Sequence, residues 1–143
     1  MWCKTPDGYA NLMQICMIVE FCGSQTLGKT MEKCQNRETS GKGFFRQVLD
    51  GVRALHAQSI FHRDLKLSNI LVTADNQVKI IDFGLATDSD DLVSNEFCGT
   101  MLYLAPEIVL NQPYRSSSVD IWTLGVILYT LLFNTYPFGG RLS

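Results

Sequence analysis

Asp64, Lys66 and Asn69 sit in the run His62-Arg63-Asp64-Leu65-Lys66-Leu67-Ser68-Asn69, and Asp82 opens Asp82-Phe83-Gly84 further along. Moving a phosphoryl group asks little covalent work of a protein. The acceptor hydroxyl must be oriented, the phosphate charge neutralised by metal ions, and the two held in line. Asp64 suits the first task, as a carboxylate that accepts a hydrogen bond from the acceptor hydroxyl. Asn69 and Asp82 are hard oxygen donors of the kind Mg²⁺ takes alongside waters and the phosphate oxygens of ATP. Lys66 places an ammonium where charge would gather on the transferring group. Ala105-Pro106-Glu107 closes the series. Each motif alone recurs in unrelated loops and turns; the three in this order and spacing form a specific signal.

Asn69 and Asp82 can share a site only if the chain between them doubles back. Two short β runs, Ile70-Leu71-Val72 and Val78-Lys79-Ile80-Ile81, joined by a turn at Asp75-Asn76, do so and bring both ligands to one edge. Ahead of them, Phe44, Phe45, Val48, Leu49, Val52 and Leu55 repeat at helical spacing, with His56 at the helix end in a structural or exposed role. Between Asp82 and Glu107 runs a long polar segment carrying Asp88, Asp90, Asp91 and Glu96. Such a stretch inside a compact domain is usually functional or disordered. Asp120 to Phe133 reads as a helix apolar nearly all round, expected to be buried on every side.

Toward the start, Pro6-Asp7-Gly8 is a turn signal, and Leu12 to Val19 reads as a buried strand with Met13, Cys16 and Met17 in its core. Glu20 to Gly28 loses periodicity and reads as a connector. Lys29 to Lys42 is polar, with weak helical character at its start. Gly41-Lys42-Gly43 has the beginning of a phosphate-binding loop, but no strand precedes it and no third glycine follows. It reads as a linker opening the next helix.

At 143 residues the chain fits one domain with a real core. A formal net charge of -2 leaves no basic footprint, so neither nucleic acid nor an anionic membrane is the expected partner. The first eight residues hold no apolar core of a signal peptide. The longest apolar run, Ile121 to Phe133, is too short and interrupted to span a bilayer. Cys3, Cys16, Cys22, Cys34 and Cys98 are an odd set without a CxxC pair, which argues against a disulfide framework or zinc cage. Reduced thiols point to an intracellular protein, cytoplasmic or nuclear.

On these motifs the chain resembles the eukaryotic protein kinase superfamily, along its length from the first strand onward. The resemblance implies an α+β fold: a partial protein-kinase-like fold, with a mainly helical C-lobe, small β-hairpins and a remnant of the N-lobe sheet. Residues 1–22 would be that remnant with its hinge, and 23–143 the C-lobe through its central helix. ATP and Mg²⁺ are implied as cofactors, and a protein serine or threonine as substrate. Glu20, Phe21 and Cys22 resemble the hinge that binds adenine through its backbone, Val19 the gate behind it, and Leu71 the apolar floor. His62 and Phe83 match members of the hydrophobic spine, and Asp120 the buried acid that anchors the catalytic loop. Lys66 and Thr100 favour serine/threonine over tyrosine specificity. The wording of 64–69, 82–87 and 98–100 is most similar to polo-like kinases, although Met101-Leu102 departs from the family's usual pair. Ser68 and Thr130 stand where basophilic relatives carry acids, which argues against a strongly basic substrate motif.

Glu96 lies four residues before Thr100, where many members of the family carry a phosphorylatable threonine. A phosphate there pairs with the arginine corresponding to Arg63. Glu96 is therefore expected to pair with Arg63 as a permanent substitute, with Ser94 a further candidate phosphosite.

The family's glycine-rich loop and β3 lysine have no counterpart in this sequence, and the arginine that partners the Glu107 position would lie beyond Ser143. The expectation is a kinase fragment cut at both ends, with a partly bare central helix that a partner would cover. Two functions follow: a serine/threonine kinase supplied as part of its catalytic domain, or a non-catalytic, kinase-like binding module.

Overall fold

The computed structural model describes residues 2–5, 8–11, 18–92 and 96–138. Strands β1 (Trp2–Thr5) and β2 (Gly8–Asn11) form an antiparallel hairpin whose last pair, Thr5 with Gly8, brackets the turn expected there. Pro6, Asp7 and most of the strand expected over Leu12 to Val19 lie outside the described residues. The two described members of that strand correct the expectation. Ile18 is 99% exposed and Val19 72%, neither in a strand, because no described strand pairs with them.

The presumed connector holds structure of its own. Strand β3 (Gln25–Thr26) pairs antiparallel with β4 (Ile70–Val72), which pairs in turn with β5 (Val78–Ile80). Helix α1 (Leu27–Glu32) starts directly from β3, capped by the Thr26 hydroxyl, which accepts from the Lys29 N–H at 3.4 Å.

Helix α2 (Arg37–His56) begins well before Phe44. Asn36 caps it, accepting from the Thr39 N–H at 3.1 Å, and Glu38 pairs with Lys42 one turn on. Gly41 and Gly43 are thus inside a helix, not in a linker. Gly41 has a packing reason: a Cβ there would stand 3.5 Å from Leu131 of helix α4 (Ser116–Phe133). From α2, Phe44, Val48 and Val52 turn inward against Leu124, Ile127 and Leu131 of α4, and Leu27, Met31, Leu65 and Ile70 complete that core. This period-3.6 stripe buried against a second helix is what holds the element together. Gln47, on the same helix, clamps the β4–β5 turn by donating to the Asn76 carbonyl at 3.1 Å and accepting from the Val78 N–H at 3.0 Å.

Helix α4 is longer than its apolar run and is not buried on every side: Ile121, Tyr129 and Phe133 are exposed. By length and hydropathy alone it could cross a membrane, yet half of it is buried and it carries Asp120 inside the fold. It is a core helix with one open face. Asn134, in the left-handed conformation at φ 56°, ends it. The short helix α3 (Pro106–Val109) opens on proline, whose missing N–H is no loss there.

Candidate active site

Three elements meet at the run 62–69. Phe61 exchanges two backbone hydrogen bonds of 2.9 Å with Thr87, tying the start of the run to the segment after Asp82. A 3₁₀ turn at Leu67–Asn69 ends it, and Ile81 N–H donates to the Asn69 carbonyl at 2.9 Å. The β4–β5 hairpin therefore closes between Asn69 and Asp82, as expected from the two β runs and the turn between them.

Asp120, 1% exposed, holds the run from below. Its carboxylate accepts from the N–H of His62 at 2.9 Å, from the N–H of Arg63 at 2.8 Å, and from His56 Nε2 at 2.8 Å. His56 is thus structural. The His62 ring is fixed by its neighbours: Asp64 N–H donates to Nδ1 at 3.3 Å, so Nε2 carries the proton it gives to the Ile81 carbonyl at 3.0 Å. Phe83 packs on this ring at 4.9 Å but is 43% exposed, so its other face is open.

Arg63 and Asp82 both adopt left-handed backbone conformations, φ 63° and 65°. Aspartate tolerates this region; arginine does not do so freely, at a cost of order 1–3 kcal/mol. Arg63 is held there by Asp120 through its N–H, by the Leu85 carbonyl, which accepts from Nε at 2.7 Å, and by Glu96, whose carboxylate accepts from its guanidinium. Burial alone would lower the Arg63 pKa; the hydrogen bond to Glu96 and the neighbouring Cys98, Glu96 and Tyr114 together raise it. The expected Arg63–Glu96 pair is therefore present in the structure. Tyr114 donates to the Glu96 carbonyl at 2.9 Å and lies 3.5 Å from Cys98 Sγ; burial and that thiol push its pKa up. Ser94 lies outside the described residues.

The Asp64 carboxylate is the hub. Lys66 Nζ donates to Oδ2 at 2.7 Å, Thr100 Oγ1 donates to Oδ1 at 2.7 Å, and the Asn69 amide donates to the Asp64 carbonyl at 3.0 Å and to Oδ2 at 3.3 Å. Lys66 also donates to Thr100 Oγ1 at 3.0 Å. Thr100 reaches this position because Gly99 precedes it at φ 104°, where a Cβ would meet the Arg63 carbonyl and Leu104 at 3.1 Å each.

Asn69 spends its amide N–H groups on Asp64, which leaves its carbonyl oxygen as the donor for a cation. Asp82 is exposed and, among the described residues, accepts a single 3.4 Å bond from the Gly84 N–H. Among the described residues no cluster of three or more His, Cys, Asp and Glu could hold a metal unaided. Two oxygen donors flanking one hairpin suit Mg²⁺, which keeps waters and shares phosphate oxygens. Of the residues expected on the adenine side, Leu71 is half-buried in β4, Cys22 donates to the Glu20 carbonyl at 3.6 Å, and the Glu20 side chain is exposed beside Lys79. The structure does not close these three residues into a pocket. A cavity of about 650 Å³ lined by Gly23, Thr30, Lys33, Cys34, Val72 and Asn76 contains none of the Asp64 group.

A protein kinase domain model matches residues 3–142. The chain belongs to the protein kinase family. It is 41% identical over 134 residues to NUAK family SNF1-like kinase 1 of Homo sapiens, covering 92% of this chain and 20% of that protein. Against mitosis inducer protein kinase cdr1 of Schizosaccharomyces pombe it is 47% identical over 106 residues, 73% of this chain and 18% of that one. With CBL-interacting serine/threonine-protein kinase 1 of Arabidopsis thaliana it shares 37% over 137 residues, 92% of this chain and 31% of that one. The chain thus spans about a fifth to a third of these relatives. None of the three is a polo-like kinase, so the leaning read from motif wording gains no support from them.

Within this kinase fold one expected residue, Glu107, and one that was not expected, Asp90, stand apart from the rest. Glu107 is half-buried and makes no ion pair among the described residues. Asp90, read from sequence only as a loop acid, is a structural contact to α4. Nothing in the sequence signals it: the contact joins segments 27 residues apart, and Ser116-Ser117-Ser118 offers serines of the usual capping type at that helix start.

Proposed function

We propose that this chain carries the catalytic lobe of a serine/threonine protein kinase, equipped to transfer the γ-phosphoryl group of ATP to a protein hydroxyl. The observation that carries the reading is the Asp64 hub, with Lys66 and Thr100 each 2.7 Å from its carboxylate. Oδ2 already accepts from Lys66 and Asn69, but Oδ1 accepts from Thr100 and keeps a second lone pair, so Asp64 can still accept a hydrogen bond from a substrate serine or threonine and orient its oxygen for attack. Lys66, bonded to both Asp64 and Thr100, holds its ammonium beside that oxygen, where negative charge spreads in the transition state. Asn69 and Asp82 would hold Mg²⁺, which when bound supplies charge neutralisation for the phosphates. Glu20, Cys22 and Leu71 supply the adenine side.

The Lys66–Thr100 contact supports hydroxyls of serine and threonine over tyrosine, and the serine/threonine kinase among the relatives points the same way. The test is transfer of labelled phosphate from Mg-ATP to matched serine, threonine and tyrosine peptides, with Asp82→Asn as control. Labelling of serine or threonine that is lost in Asp82→Asn is expected. Tyrosine labelling, or labelling indifferent to Asp82, contradicts the reading.

A further inference from the structure

Every α-helix starts with four N–H groups that have no partner inside it. In α4 the Ser118 N–H meets the Arg115 carbonyl at 3.1 Å, but no local side chain supplies a cap: the Arg115 side chain at the N-cap makes no capping bond, the first turn holds no acid, and the buried Ser116 hydroxyl has no partner among the described residues. The cap comes instead from the segment after Asp82-Phe83-Gly84. Asp90 Oδ1 accepts from the Ser117 N–H at 2.7 Å, and its Oδ2 accepts from the Ser117 hydroxyl at 2.7 Å. Arg115 Nη1 donates back to the Asp90 carbonyl at 2.8 Å. A carboxylate at this end also meets the positive end of the helix dipole.

Three residues beyond Ser117, on the adjacent turn, stands Asp120, whose carboxylate holds the N–H groups of His62 and Arg63 at 2.9 and 2.8 Å. The N–H of Asp120 is the first in α4 whose i−4 carbonyl, that of Ser116, lies inside the helix. Fraying of the first turn therefore reaches Asp120 directly.

We propose that Asp90 is a positioning residue for phosphoryl transfer: it fixes the first turn of α4, and through it the Asp120 carboxylate that sets the catalytic loop. Asp90 touches no reacting group. It makes the loop's geometry depend on a segment far from it in sequence. The coupling stands on geometry alone; its bearing on phosphoryl transfer rests on the function proposed above.

Amide hydrogen exchange on the 143-residue chain tests the coupling without any assay of activity. Losing a cap and its dipole partner in Asp90→Ala is expected to speed exchange about tenfold at Ser117, His62 and Arg63. Asp90→Asn, which keeps one acceptor oxygen, is expected to stay near the parent. Faster exchange at Ser117 with parent rates at His62 and Arg63 overturns the proposal, because Asp90 is then a cap and nothing more. Should Asp90→Ala exchange throughout, Ser117→Ala decides: faster exchange at His62 and Arg63 with α2 unchanged supports the coupling, and parent rates there overturn it. Where phosphotransfer is measured, Asp90→Ala lowers kcat and leaves the KM for ATP unchanged; a raised KM with unchanged kcat contradicts a positioning role. A chain that transfers no phosphate while the exchange coupling holds removes the kinase activity reading and supports the coupling.

Discussion

Arg63 ties the run 62–69 to three other segments, through Asp120, Leu85 and Glu96, and Glu96 is the partner that determines what its charge does. The pair is half on the surface: the Glu96 side chain is 50% exposed and Arg63 11%. Exposed ion pairs contribute only about 0.2–1 kcal/mol, so Glu96→Ala should barely move global stability. Its effect should be local. With the carboxylate gone, Arg63 retains the Leu85 carbonyl but loses its side-chain hydrogen bond to the 96–100 segment. Proteolytic cleavage between 96 and 100 is expected to become several-fold faster in Glu96→Ala, while Glu96→Asp lies in between. Equal cleavage of parent and variant would mean that Glu96 is only an exposed loop acid, and that the charge does not order the segment.

At the scale of elements, glycines separate helix from loop. Gly43 lies mid-helix in α2 with no heavy atom within 4 Å of a built Cβ, so Gly43→Ala should stabilise by about 0.5–1 kcal/mol. Gly99 sits at φ 104° with the Arg63 carbonyl 3.1 Å from a built Cβ, and Gly99→Ala should destabilise by more than about 1 kcal/mol while displacing Thr100. Urea midpoints of the two variants read both signs; a shift in the same direction would remove the assignment of one glycine to helix and the other to a strained approach. These residues also mark how much was legible. Helical periodicity located α2, a long apolar run located α4, and two short β runs joined by a turn located the β4–β5 hairpin. The periodicity placed the start of α2 too late, because the first two turns are polar and their helicity comes from the Asn36 cap and the Glu38–Lys42 pair. Strand β3 is two residues long and exists only through its pairing with β4, so no periodicity could have marked it. Ile18 and Val19 looked buried by composition and are exposed, since burial needs a partner strand as well as apolar side chains. Asp64, Lys66 and Asn69 were legible because they share one short run, while the contact of Thr100 with Asp64, 36 residues away, was not read from the sequence. Neither was the Asp90 cap, since it joins two segments 27 residues apart.

Across the molecule, the hub is supported from three directions: the β4–β5 hairpin fixes Asn69 beside Asp82, α4 supplies Asp120, and the 96–100 segment supplies Thr100. The opposite face of α4 leaves Ile121, Tyr129 and Phe133 exposed, with Phe133 at 62%. Contiguous exposed apolar faces are the kind of surface on which proteins associate. The central claim is that the Asp64 carboxylate orients a hydroxyl for phosphoryl transfer, and one comparison tests it most directly. Single-turnover transfer from Mg-ATP to a serine peptide is measured in the parent chain and in Asp64→Asn, with nucleotide binding followed in both. A fall of about 10²-fold or more in the transfer rate with nucleotide affinity unchanged is the predicted result. Equal transfer rates in the two chains would contradict it.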